Sequence, residues 1–210
     1  MNTLRTVPDR LCIEARRIGS PGWHGDYERL ERPAGAVALL PSPSCDVAVC
    51  RAMCAALHAR GFSTLCIEPG RAIGLEELTP RLVEALEWLR VSGPGAPLGV
   101  FGGGIGACAA VSAAALRPDL VEALVTQGAC PDTVLAAFPR VRAATLLVIG
   151  DGDEALLRSH RRALAQLGGA RRLEVVPGAD ASCVDEAAAQ AVAHLAAHWF
   201  ALRLPQRPLH

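Results

Sequence analysis

Two periods of apolar residues alternate along this chain, and their order predicts its architecture. Largely apolar runs at Ala36 to Leu40, Phe62 to Ile67, Val121 to Val125 and Ala144 to Ile149 have strand length and no clear polar face. Each therefore predicts a strand covered on both sides. Between them the spacing lengthens to that of a helix: Val49, Met53, Ala56 and Leu57 follow a cap at Cys45 or Asp46, and Gly61 stops the run. Leu78, Leu82, Ala85, Leu86 and Leu89 mark a second helix over Leu75 to Leu89, closed by Ser92-Gly93-Pro94-Gly95. Val134 to Phe138 predicts a short helix, and Glu154 to Leu167 a longer one ended by Gly168-Gly169. Leu173 to Val176 is the last expected strand, and Val184 to Leu202 the last helix, with Val192, Leu195, Trp199 and Leu202 as its core stripe. Near the start, Leu11 to Ile18 alternates apolar with polar residues, and Pro21-Gly22 turns the chain into a second strand near Asp26 to Glu31. The pattern predicts a mostly parallel, twisted α/β sheet with an antiparallel N-terminal hairpin, helices on both faces and no large cap domain. One domain is expected over residues 1–210, with its core at 25–204.

The stretch Leu98 to Ala110 organises the rest. It runs from a short apolar strand through a cluster of glycines into a small-residue helix that reaches Leu116. This is the layout of a nucleophile elbow, a sharp strand-to-helix turn that holds a reactive side chain above the end of a parallel sheet. Gly102 and Gly106 flank the turn and let helix and strand pack closely. The position between them that should carry Ser, Cys or Asp is Gly104.

Composition narrows the function classes. The 210 residues carry zero formal net charge, so no basic field is available for nucleic acid or an anionic membrane. Every basic residue other than His is Arg, which removes Lys as a Schiff-base or general-base residue. Met1 to Arg17 mixes Arg and Asp without a long apolar run, and the apolar segments elsewhere are short, so a cytoplasmic protein is expected. The eight cysteines are dispersed and form no Cys-x-x-Cys pair, so neither a disulfide framework nor a zinc site is indicated. No cofactor is expected.

The order of these motifs resembles the α/β-hydrolase superfamily, and within it the small dienelactone-hydrolase-like branch. The likeness rests on the elbow, on a strand ending in Gly150-Asp151-Gly152-Asp153, and on a strand ending in Pro177-Gly178-Ala179 before a final long helix. In that family a nucleophile, a His and an acid act together. The resemblance places the acid at Asp153, the nucleophile at Gly104 and the His at Ala181, so the acid survives and both partners are replaced. The loop after Leu40, where a backbone N–H of relatives helps hold an oxyanion, reads Pro41-Ser42-Pro43-Ser44, and proline has no N–H to offer. The N–H of Ile105 at the start of the elbow helix remains for a carboxylate or carbonyl.

Cys45, Cys130 and Cys183 fall in loops leaving the carboxyl ends of strands, where sites in open α/β sheets gather; buried or incidental thiols are the simpler reading. The expected ligand-binding set is Ser42, Cys45, Gly103, Gly104, Ile105, Cys130, Asp180 and Cys183, with no metal. A turn residue is the simpler role for Asp180, and a helix cap for Asp153. The expected function is a pseudoenzyme that binds a small molecule or a protein partner. The alternative is an active ester or lactone hydrolase, or a lyase, with a relocated site built on Cys130 or Cys183 and Asp153 or Asp180. A third possibility is an oligomer-forming subunit with Trp199, Phe200 and Leu204 at its interface.

Overall fold

The computed structural model describes residues 3–7, 11–20, 23–43, 45–68, 74–93, 97–180 and 185–204. Along the chain lie strands β1 (Thr3–Val7), β2 (Leu11–Ser20), β3 (Trp23–Leu30) and β4 (Gly35–Leu40), helix α1 (Val47–His58), β5 (Phe62–Glu68) and α2 (Leu75–Ser92). They are followed by β6 (Leu98–Gly103), α3 (Ile105–Leu116), β7 (Ala123–Gln127), a 3₁₀ helix (Pro131–Arg140), β8 (Ala144–Gly150), α4 (Glu154–Gln166), β9 (Arg171–Val176) and α5 (Glu186–Arg203). The nine strands form one sheet in the order β1-β2-β3-β5-β4-β6-β7-β8-β9. β1, β2, β3 and β5 pair antiparallel in turn, and from β5 to β9 every pairing is parallel.

The antiparallel part is larger than the expected pair, because Thr3–Val7 adds a strand against β2. Its Thr and Arg residues carry no apolar period that would announce a strand; the ladder it makes with its neighbour defines it. The parallel part matches the apolar runs. Every residue of β4 and of β6 is buried, because the sheet is covered on both faces.

Alternate residues of each strand feed two separate cores. Ala38, Val100, Leu124 and Leu147 point to the face covered by α2, α3 and α4, where Leu82, Leu86, Ala110 and Ala163 meet them. Val37, Leu39, Phe101, Val125 and Val148 point to the other face and pack on Met53 and Leu57 of α1 and on Val192, Trp199 and Phe200 of α5.

The stripe expected on the last helix is corrected at one end. Val192 and Trp199 are buried, but Leu202 is 60% exposed, and small residues such as Ala193 and Ala196 complete the buried face instead. Phe200 lies so close to β6 that a Cβ on Gly99 would stand 2.6 Å from its ring. Trp199, Phe200 and Leu204 are all within the core, at 5%, 0% and 3% exposure, so they are not available as an oligomer interface. The exposed edge strand β9 begins with Arg171 and Arg172, charges that discourage pairing with another chain. Among the described residues, no helix is long and apolar enough to cross a membrane.

Candidate functional site

The turn between β6 and α3 has kept the elbow's backbone without its side chain. Gly104 caps α3 with φ 57° and ψ −123°, left-handed territory that favours glycine. Its N–H donates to the Gln127 carbonyl at 2.9 Å, and its own carbonyl accepts from the Ala107 N–H at 3.1 Å. The flanking glycines are steric requirements: a Cβ on Gly102 would stand 2.5 Å from the Gly106 carbonyl oxygen, and one on Gly106 would stand 2.4 Å from that of Leu40.

The loop after β4 packs beside the turn at Gly103 and Gly104. A Cβ at Gly104 would meet Ser42 Oγ at 3.1 Å and Ser42 Cβ at 3.3 Å, and a Cβ at Gly103 would meet the Ser42 nitrogen at 3.0 Å. A hydroxyl from a different strand end thus stands beside the seat of the absent nucleophile.

Above this turn lies a cavity of about 230 Å³. It sits at the carboxyl ends of β4 and β6, where the strand order reverses: β5 follows β4 on one side, and β6 returns to its other side. Ligand sites of open α/β sheets form at such a switch point. Leu39 and Phe101 line it from the sheet, Val49, Cys50 and Met53 from α1, and Ala189 from α5. Its surface is mainly apolar, and among the described residues Asp46 is its one acidic or basic side chain.

Of the expected ligand-binding residues, the structure brings Ser42, Cys45, Gly103 and Gly104 together around this cavity. Ile105 follows directly but is 38% exposed and is not part of the wall. Cys130 is exposed at the start of the 3₁₀ helix, where its carbonyl accepts from the Cys108 thiol at 3.5 Å, away from the cavity. Asp180 does not line it either; its backbone carbonyl lies beside Gly150 at the end of β8, where only a glycine leaves room for it. Cys183 and Ala181 lie outside the described residues.

Asp153 caps α4 by accepting from the Leu156 N–H at 2.9 Å. Asp151 accepts from the Gly178 N–H at 2.9 Å and ties the loops after β8 and β9 together. Sequence reasoning missed Asp46, Cys50, Cys66 and Gln127 as lining residues. The available signal was positional: Asp46 caps α1, so the first turn of that helix had to stand beside the loop that carries Ser42.

Two thiols of the wall, Cys45 and Cys50, are held protonated. Cys45 Sγ lies 3.5 Å from Cys50 Sγ. That hydrogen bond, followed by burial, pushes the Cys45 thiol far above its ordinary value. For Cys50 the hydrogen bond from Cys45 acts downward, but the hydrogen bond to Cys66 and burial outweigh it and raise the thiol to about 11. Protonated thiols are poor nucleophiles.

No histidine lines the cavity among the described residues. His58, the last residue of α1, is buried with Nε2 2.9 Å from Thr64 Oγ1 and 3.3 Å from Glu28 Oε2. Burial lowers it to about 4, so it meets Glu28 as a neutral ring at neutral pH. His160 is buried on α4 with Nδ1 2.9 Å from the Leu156 carbonyl, and burial lowers it as well. Among the described residues, no group of three or more His, Cys, Asp or Glu side chains is arranged to hold a metal ion.

No family model matches the chain. A protein of Mycobacterium tuberculosis named as a candidate phosphoribosyl transferase, found in strains CDC 1551 / Oshkosh and ATCC 25618 / H37Rv, is 36% identical over 155 residues. That match covers 69% of this chain and 35% of the relative, so the chain spans about a third of the curated proteins it matches. Among solved structures, the dienelactone hydrolase of Anabaena variabilis superposes with a TM-score of 0.84 at 29% identity, covering 94% of this chain and all of that one (100%). A cold-adapted esterase from an Arctic intertidal metagenomic library superposes at 0.76 with 16% identity, covering 97% of this chain and 100% of its own, a likeness of fold alone. With its strand order, its elbow at Gly104 and these neighbours, the chain belongs to the α/β-hydrolase superfamily, in the branch that contains dienelactone hydrolase.

Proposed function

We propose that this protein is a non-catalytic member of its superfamily, whose cavity above Gly104 binds a small, mostly apolar molecule carrying a carbonyl or carboxylate. The observation that carries the reading is the elbow itself: its backbone persists at φ 57°, while the side chain that would attack is absent and Ser42 leans into its place. The residue at the family's His position is Ala181. In subtilisin, loss of the nucleophile or of the His alone costs about a millionfold in turnover, so losing both removes triad chemistry.

Binding keeps its means. The first N–H groups of a helix have no acceptor within the helix, and no side chain caps α3, so its amino end at Ile105 suits an oxygen bearing negative charge, while the Gly104 N–H is taken by the Gln127 carbonyl. The apolar wall takes the rest of the molecule.

The relocated hydrolase or lyase draws no support from the site: Cys130 is away from the cavity, Asp153 is engaged as a helix cap, and the cavity thiols Cys45 and Cys50 are raised rather than depressed. Phosphoribosyl transfer is not assigned to this chain either. That chemistry must hold a pyrophosphate, and this cavity is lined by Asp46 and by no Arg or His among the described residues.

Thermal denaturation in the presence of small lactones, esters and their acids tests the proposal. A ligand at a hundred times its Kd adds about 2.7 kcal/mol. For a chain of this size that is a Tm rise of about 5–10 °C. Val49→Trp, which fills the wall, abolishes the rise. A panel in which no compound shifts Tm, or a shift that survives Val49→Trp, contradicts the reading.

A further inference from the structure

The cavity wall contains a pair of thiols that ligand binding does not use. Asp46 is the N-cap of α1, its carboxylate accepting from the Ala48 N–H at 2.7 Å, so Cys45 stands just before the cap and Cys50 is the fourth helical residue. Side chains at those two positions meet across the first turn of a helix. Here the two are cysteines, with their sulfur atoms 3.5 Å apart. The backbone holds them in place, since the Cys45 N–H donates to the Ser42 carbonyl at 2.9 Å and the Cys50 N–H to the Asp46 carbonyl at 3.1 Å.

We propose that Cys45 and Cys50 form a redox site that closes to a reversible disulfide and reshapes the cavity wall, with a small-molecule disulfide as oxidant. The sulfurs must approach from contact to about 2.05 Å, a shift of about 1.5 Å. Cys45 lies outside the helix, so rotation about its χ1 supplies that shift without unwinding α1.

The exchange balances as follows. The small thiolate fraction of Cys50, the less raised of the two thiols at about 11, attacks one sulfur of the oxidant and breaks its S–S bond. One small thiol leaves, carrying the proton that Cys50 gave up. The Cys45 sulfur then attacks the Cys50 sulfur of the mixed disulfide, and the second small thiol leaves with the Cys45 proton. The protein pair loses two electrons, and the oxidant gains them. Cys66 also hydrogen-bonds Cys50 and is the competing partner. Closure swings the Cys45 side chain onto α1 and changes the wall that both cysteines line, and the effect on the cavity rests on the binding reading given above.

The test uses the full chain incubated with oxidised glutathione, alkylated and digested with trypsin. Arg32 is followed by Pro33, so Cys45 and Cys50 fall in one peptide that ends at Arg51. The bond therefore registers as that peptide escaping alkylation with a mass about 2 Da below its dithiol form, reversed by dithiothreitol. Wild type and Cys66→Ser are expected to show it, and Cys45→Ser and Cys50→Ser to lack it. The apolar probe 1-anilinonaphthalene-8-sulfonate is expected to change its Kd for oxidised wild type by at least about threefold. Both thiols fully alkylated at equilibrium, or a bond mapped to Cys50 and Cys66, overturns the proposal, and so does equal probe affinity for both forms. A probe that binds neither form counts against the binding reading, and the peptide mass still decides the disulfide.

Discussion

Gly104 and Ser42 together decide what this site can do. The left-handed backbone at residue 104 costs a glycine little, and the Ser42 hydroxyl stands 3.1 Å from where a side chain there would begin. Putting a serine back at 104 restores strain rather than chemistry. Gly104→Ser is expected to lose about 1–3 kcal/mol from the strained φ. The corresponding fall in Tm is about 2–4 °C for each kcal/mol, with no gain in ester turnover. Denaturation and an ester assay on the same sample check both halves. The glycine at the centre of the turn was legible because Gly102 and Gly106 fix the register of the elbow. The approach of Ser42 was not, because it depends on how the loop after β4 folds back, and Pro41 and Pro43 on either side restrict that loop without setting its direction.

The elements follow from period and caps, and they carry two further predictions. Asp153 is the N-cap of α4, so Asp153→Ala is expected to cost about 1 kcal/mol. Its Tm falls accordingly, while the ligand-induced rise in Tm stays at the wild-type size; an acid still serving the site would lose the second.

His58 joins α1 to β3 and β5, and burial depresses it to about 4. The unfolded chain therefore binds this proton more readily than the folded one between pH 6.5 and about 4. Stability conferred by the neutral ring is complete above pH 6.5 and is lost as pH falls through that window. The loss amounts to about 2 kcal/mol after solvent screening. Urea denaturation from pH 7 to pH 4 reads it, and His58→Gln is expected to flatten the profile. Where the elements departed from expectation, the signal was weak: β1 has no apolar period, and in the alanine-rich α5 small residues rather than Leu202 fill the buried face.

At the scale of the whole molecule, strand order decides which loops meet. Cys130 and Asp180 leave the carboxyl ends of β7 and β9, as a site residue should, yet the crevice opens between β4 and β6. β9 is three places from β6 along the sheet, and Asp180 at its end is not among the residues that line the cavity. The fold was legible as far as parallel, doubly covered strands and an elbow. The cavity wall given by α1 was not, since it needs the packing of α1 and α5 on one face. That packing leaves an apolar chamber with no imidazole among its described lining residues.

The most direct test of this account is the rate of product release from short-chain nitrophenyl esters and lactones as protein concentration rises. Release at the uncatalysed rate, with the same compounds still raising Tm, is the predicted result. Saturable turnover that disappears in Ser42→Ala, or in any single substitution of a cavity residue, would contradict it.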